Sequence, residues 1–109
     1  MSQITTHILD AALGGPARGV AVVLTRADDG AQVASGVTDD AGRIAELGPA
    51  RLAAGTYRLS FATGEYFAVT GRETFYPVVS IDFSVADPEQ HYHVPLLLSP
   101  FSFSTYRGN

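Results

Sequence analysis

The chain has no cysteine and only three histidines, His7, His91 and His93. Any acid–base chemistry must therefore use imidazole, carboxylate, guanidinium, hydroxyl or phenol groups. A neutral imidazole, with a pKa of about 6.5, is well suited to take a proton from water near neutral pH. His91 and His93 are two residues apart, so on a strand both side chains leave the same face. Two imidazoles on one face suit a zinc site if a third ligand arrives. Each is equally well accounted for as a surface or hydrogen-bonded strand residue. The acidic pairs Asp28-Asp29 and Asp39-Asp40 lie beside glycines, and turn formation explains them better than paired-carboxylate catalysis. No G-x-S-x-G, P-loop, G-x-G-x-x-G or H-E-x-x-H motif is present.

Two further segments carry information. Pro95 interrupts the strand-like run YHVPLLL and cannot donate to a ladder. It therefore marks a sheet edge, a bulge or a place where another surface abuts. The adjoining Val94 to Leu98 run offers more apolar area than a solvated edge needs, which a covering subunit or burial within the chain would explain. At the other end of this segment, Phe101 to Tyr106 alternates as a strand almost to the last residue, and Arg107-Gly108-Asn109 follows. An ordered final strand would hold Arg107 at a fixed point.

The elements that must position these residues read as β throughout. Short alternating or apolar segments, separated by Gly, Pro and Asp clusters, predict a sandwich or barrel. Strands are expected over residues 4–10, 19–26, 33–38, 43–47, 55–63 and 78–85, with two more in 91–106. In the first, Ile4, Thr6 and Ile8 share one face and Thr5, His7 and Leu9 the other. Val79, Ile81, Phe83 and Val85 are expected to point inward. Residues 65–70, between two glycines and without clean alternation, are the single candidate helix.

With 109 residues, 46% hydrophobic and 17% charged, the chain suits one globular domain, residues 1–109, and is too apolar for disorder. Its net charge of −4 argues against a binder that tracks nucleic-acid phosphates. No run reaches the roughly 20 apolar residues needed to cross a bilayer. The N-terminus lacks the basic and apolar regions of a secretion signal, so a cytoplasmic location is the default expectation. The missing cysteines exclude disulfides, thiolate metal sites and cysteine nucleophiles.

The segments THILDAALGGPARGVAVVL, FYP and HYHVPLLLSPFSFSTYRGN closely resemble the 5-hydroxyisourate hydrolases, the transthyretin-related proteins of purine breakdown. The likeness runs from about Ile4 to the last residue. It implies a transthyretin-like sandwich of two four-stranded sheets with one short helix. It also implies a homotetramer, a dimer of dimers, with active sites in a channel where dimers meet. The implied reaction is hydrolytic opening of 5-hydroxyisourate at its cyclic amide, giving 2-oxo-4-hydroxy-4-carboxy-5-ureidoimidazoline, with no cofactor and no metal.

Residue by residue, the resemblance points to His7, Arg43 and His93 as catalytic and to Tyr106, Arg107, Gly108 and Asn109 as substrate-binding. The usual terminal Tyr-Arg-Gly-Ser of the family ends here in Asn109. Chemistry assigns the roles: His7 or His93 as the base, and Arg43 as the donor that stabilises the oxyanion. Arg107, a planar fork of donors, would hold the purine-like carbonyls. His91 receives no role from the family motif. Two other classes of function remain open, a hormone-channel binding protein without catalysis and a zinc hydrolase using His7, His91 and His93.

Overall fold

The computed structural model describes residues 2–109. In chain order the elements are β1 (Ile4–Asp10), β2 (Gly15–Pro16), β3 (Ala21–Arg26), β4 (Gln32–Val37), β5 (Arg43–Ile44), β6 (Gly55–Phe61), α1 (Thr63–Val69), β7 (Val79–Val85), β8 (Tyr92–Ser99) and β9 (Ser102–Thr105). One sheet runs β2-β1-β8-β9, with β5 also pairing on β1, and the other runs β4-β3-β6-β7. Every pairing is antiparallel except β1 with β8, which are parallel. Among the described residues no helix is long and apolar enough to cross a membrane.

Alternation decides which face of each strand is buried. Ile4, Thr6, Ile8 and Asp10 of β1 point into the sandwich, while Thr5, His7 and Leu9 face outward and are half-buried. From β8, Leu96 and Leu98 join them, opposed across the layer by Leu24, Leu59 and Phe61, with Phe67 of α1 also fully buried. A core of branched and aromatic side chains of this kind supplies most of the folding energy, about 1.5–3 kcal/mol for each fully buried group. Ile81 and Phe83 also face inward but are only half-buried, packed against the core near the open edge of their sheet.

The observed sheets refine the expected pair of four-stranded ones. The break expected at 13–16 is a tight hairpin: Gly14 N–H donates to the Asp10 carbonyl at 2.8 Å, and Gly15–Pro16 pairs back on Leu9–Asp10. The fourth strand shortens to Arg43–Ile44. After it the backbone turns inward, and the Leu47 N–H donates to the Ser2 hydroxyl. The helix begins two residues earlier than expected. Gly64, taken as a boundary, lies inside it because its N–H donates to the Pro77 carbonyl at 2.8 Å.

Pro95 stands in a central strand, at an interruption of the ladder. Pairing of β8 with β9 runs from Ser99↔Ser102 to Leu96↔Thr105, and the next bridge is His93↔Gly108. The proline's missing N–H falls in that gap, where the Thr105 hydroxyl donates to the Pro95 carbonyl at 2.7 Å. Pro95, Leu96 and Leu98 are buried within the chain. A covering subunit is therefore not needed to explain this run.

The far end of β1 is pinned by a buried charge. Asp10 is fully buried, and Arg72 meets it at 2.6 Å while the Tyr66 hydroxyl donates at 2.7 Å and the Leu13 N–H at 3.0 Å. Arg72 also lies 4.8 Å from the centre of the Phe67 ring. Burial by itself would raise the Asp10 carboxyl, but Arg72, Tyr66 and Leu13 outweigh it and hold the group below its ordinary value. Arg72→Ala strands this carboxylate in the core and should cost about 3–5 kcal/mol in a urea melt. With a folded pKa below the unfolded one, the Asp10 contribution is complete above about pH 3.9 and lost as pH falls through the folded value. An Arg72→Ala melt superimposing on the wild type would show that the pair does not hold the end of β1.

Candidate active site

The parallel register of β1 and β8 sets Thr5 beside His93 and His7 beside Pro95. On the other side of β1, the antiparallel register of β5 sets Arg43 beside His7. All these side chains leave the outer face of one sheet, because residues of matching parity share a face. The chain end comes to the same place, where the Gly108 N–H donates to the His93 carbonyl at 2.9 Å. A cleft of about 230 Å3 results, lined by Thr5, Arg43, His91, His93 and Asn109 among others.

Arg43 is delivered by a built turn. One Asp39 carboxylate oxygen accepts the N–H groups of Ala41 and Arg43, each at 2.9 Å. Those two bonds and the nearby Arg43 guanidinium outweigh the loss of solvation and hold Asp39 below the usual carboxylate value. Gly42 has φ +75, and a Cβ there would overlap the Ile8 carbonyl, so this corner requires glycine. The Gly42 carbonyl accepts the Ile8 N–H at 2.7 Å, which fastens the turn to β1. The same turn fixes His7. Its Nε2 lies 3.0 Å from the Ala41 carbonyl, and a carbonyl only accepts, so Nε2 carries the hydrogen and Nδ1 of the neutral ring is left as an acceptor.

His93 and His91 are both tied to Thr5. The Thr5 Oγ1 is 2.7 Å from His93 Nδ1 and 2.9 Å from His91 Nε2. Gln3 steadies the approach to this pair, its Nε2 donating to the carbonyls of Pro88 at 3.1 Å and Gln90 at 2.8 Å. Burial pushes the His93 imidazole below its ordinary pKa, and the charges of Arg43, His7 and His91 push the same way against an opposing contact with the Thr5 backbone. The ring is therefore neutral at pH 7, the form that can accept a proton. Among the described residues no group of three or more His, Cys, Asp or Glu could hold a metal ion.

Of the residues singled out from sequence, His93, Arg43 and Asn109 meet in the first cleft, and His7 stands next to Arg43 in register. Tyr106 and Arg107 lie elsewhere. They line a second cleft of about 310 Å3 with Phe83, Tyr92 and Thr105, and His93 is the residue common to both. Arg107 stacks 4.6 Å above the Tyr92 ring and donates to the Gln90 side chain at 2.9 Å. Thr5 was not singled out. Its strand parity with His7 was visible in the sequence, but its partner on β8 was not.

A family model described as the HIUase/Transthyretin family matches residues 4–108. The 5-hydroxyisourate hydrolase of Caulobacter vibrioides is 48% identical over the whole of both chains. The structure of the Klebsiella pneumoniae 5-hydroxyisourate hydrolase superposes with a TM-score of 0.89 at 45% identity, covering 97% of this chain and 98% of that one. Sea bream transthyretin, solved in complex with thyroxine, superposes with a TM-score of 0.88 at 39% identity over 97% and 94% of the two chains.

The contact between the tail and His93 leaves no room for a side chain at residue 108. A Cβ there would lie 2.6 Å from His93 Cδ2 and 3.2 Å from Pro95 Cγ, so it is close approach that requires the glycine. Gly108→Ala should lift the tail or turn the imidazole. The His93 ring resonances should then move in a 1H–15N spectrum, and its titration should return toward the ordinary imidazole value as burial is lost. Unmoved resonances would show that the tail does not touch this ring.

Proposed function

The chain belongs to the HIUase/transthyretin family, and we propose that it hydrolyses 5-hydroxyisourate at the cleft between Arg43, His93 and Asn109. The observation that carries this reading is the meeting, on one sheet face, of the half-buried His93 imidazole, the Arg43 guanidinium and residue 109. The 48% identity to a 5-hydroxyisourate hydrolase over its full length supports the same substrate.

In the proposed reaction His93 takes a proton from water as the water oxygen bonds to the carbonyl carbon of the cyclic amide. Negative charge then develops on the carbonyl oxygen, where the permanently charged Arg43 stabilises it. The ring C–N bond breaks, and His93 returns its proton to the leaving nitrogen. His7, with its Nε2–H given to the Ala41 carbonyl, keeps Nδ1 as an acceptor for a substrate N–H or O–H. Asn109 offers both a donor and an acceptor from the cleft wall. Gly108 lets the tail close on His93, and Tyr106 and Arg107 border the substrate from the neighbouring cleft.

Binding without turnover is the second reading, favoured by the likeness to sea bream transthyretin solved with thyroxine. Two imidazoles and an arginine brought to one cleft count against it, since an apolar ligand has no use for a base and an oxyanion donor. Decay of 5-hydroxyisourate, made from urate by urate oxidase and followed in the ultraviolet, separates the two. A decay rate no faster than the spontaneous one would sink the enzymatic reading.

We also propose that the chain forms a homotetramer, a dimer of dimers, with the cleft closed by a neighbouring subunit. Large apolar side chains stand exposed around the sheet that carries the cleft, including Leu13 at 67% and Phe101 at 64%. Phe75, Tyr76 and Phe103 stack in a row with ring centres 5.1 Å apart, and a contiguous exposed apolar patch of this kind suits burial against a partner.

Three of the residues should be indispensable. His7→Ala, Arg43→Ala and His93→Ala should each lower kcat/KM by roughly 10²-fold or more, with the fold retained. The acid limb of kcat/KM in the wild type should fall below pH about 6.5, because His93 is protonated only below the ordinary imidazole value. Near-wild-type rates in two of the three variants would overturn the site. Light scattering should give four times the mass of one chain, and a fully active monomer would remove the intersubunit cleft.

A further inference from the structure

Thr5 holds one hydroxyl hydrogen and contacts two imidazole nitrogens. Its Oγ1 lies 2.7 Å from His93 Nδ1 and 2.9 Å from His91 Nε2. A hydroxyl donates once and accepts at its remaining lone pairs. It can give its hydrogen to one ring only, and the other ring then donates to it; alternatively it accepts from both rings and gives its hydrogen to water. Two arrangements satisfy both contacts while keeping the Thr5 hydrogen within the trio. In one, His93 Nδ1–H donates to Thr5, and Thr5 donates to His91 Nε2. In the other, His91 Nε2–H donates to Thr5, and Thr5 donates to His93 Nδ1.

The two arrangements differ in what they leave on the far side of the His93 ring. The first leaves Nε2 with a free lone pair. The second places the hydrogen on Nε2, and the one remaining lone pair, on Nδ1, is then occupied by the Thr5 hydroxyl and not open to a water in the cleft. A base at His93 requires the hydrogen on Nδ1 and donated to Thr5, which the first arrangement provides and which also holds when Thr5 accepts from both rings. We propose that Thr5 is a positioning residue that clamps His93 in its Nδ1–H tautomer, and that His91 is the acceptor that fixes the direction of the Thr5 hydroxyl. The inference rests on the proposed hydrolysis for its direction and on the observed contacts for the clamp itself.

The backbone is arranged for this contact. Thr5 is the Cα partner of His93 across the parallel pair. His91, two residues earlier, leaves the same face, so one hydroxyl on β1 reaches both rings of the His-Tyr-His segment. His93 is half-buried and His91 exposed. Nδ1 of His91 is thus free to meet water while Nε2 accepts from Thr5. The next residue of β1, Thr6, sends its hydroxyl the opposite way, donating to the Val94 carbonyl inside the sandwich at 2.6 Å. The two adjacent threonines therefore have separate tasks, one in the core and one at the cleft.

The test pairs a spectrum with kinetics. Imidazole 15N shifts of the substrate-free protein at pH 8 should show His93 as a single Nδ1–H tautomer, and Thr5→Val should turn it into a mixture. Thr5→Val keeps the shape of the side chain and loses the hydroxyl. It should lower kcat by about tenfold or more while KM stays within about twofold, because the lost group orients the base and does not bind substrate. Thr5→Ser should restore the single tautomer and return kcat to within about threefold of wild type. His91→Ala should cost less than Thr5→Val, since water can accept the Thr5 hydrogen in its place. An Nε2–H tautomer in the wild type, an unimpaired Thr5→Val, or a Thr5→Ser as poor as Thr5→Val would each overturn the clamp. A wild-type protein that fails to hydrolyse 5-hydroxyisourate overturns the proposed reaction instead, and the spectra still decide the clamp.

Discussion

The parallel pairing of β1 with β8 fixes both the core and the cleft in one register. Ile8 beside Leu96 and Asp10 beside Leu98 fill the inside of the sheet, while Thr5 beside His93 and His7 beside Pro95 stand outside. A slip of one residue along either strand would exchange the faces, putting an imidazole into the core and a leucine into the cleft. The hydrophobic energy of the core therefore also enforces the geometry of the polar face. A parallel pair needs a long crossover, and here nearly the whole chain lies between the two strands. That intervening chain supplies the second sheet, and it also supplies the 39–43 turn that brings Arg43 to the other side of His7.

Opposite electrostatic solutions operate at the two ends of β1. At its end, Asp10 is fully buried yet ionised, because Arg72, Tyr66 and the Leu13 N–H outweigh the burial penalty. Near its start lies His93, only half-buried and yet neutral, because burial and the nearby positive Arg43 act in the same direction. What separates the cases is the sign of the partner. A carboxylate given a guanidinium keeps its charge, and an imidazole given one loses its proton. The first arrangement holds the strand in place, and the second leaves a lone pair ready for chemistry.

Local alternation made much of this legible in the sequence. The bounds of β1 and the outward parity of Thr5, His7 and Leu9 follow from a period of two, and both are observed. Elements set by long-range contacts were less legible. Gly15–Pro16 reads as a break because its pairing with Leu9–Asp10 depends on a hairpin closed by one backbone bond. Gly64 reads as a helix boundary because nothing local announces the Pro77 carbonyl that receives its N–H. At the cleft, residue types and a family likeness pointed to His7, Arg43 and His93. Thr5 could not be found that way, since its significance arises only from lying opposite the His-Tyr-His segment. Arg107 shows the converse: its chemistry suited the cleft, but in the single chain it is engaged by Tyr92 and Gln90.

These contacts also bear on the departure of residue 109 from the usual serine. The tail is held by backbone and by residues before 109: the Thr105 hydroxyl on the Pro95 carbonyl, Arg107 over Tyr92, and the Gly108 N–H on the His93 carbonyl. None of these uses the side chain of the last residue. The position of the chain end is therefore independent of what residue 109 is, provided that residue 108 stays small. Asn109 changes only the group presented to the cleft, exchanging a hydroxyl for an amide that can likewise donate and accept. The strict requirement falls on Gly108, where a Cβ would strike the imidazole. The tolerance falls one residue later, where a polar group of either kind can line the cleft.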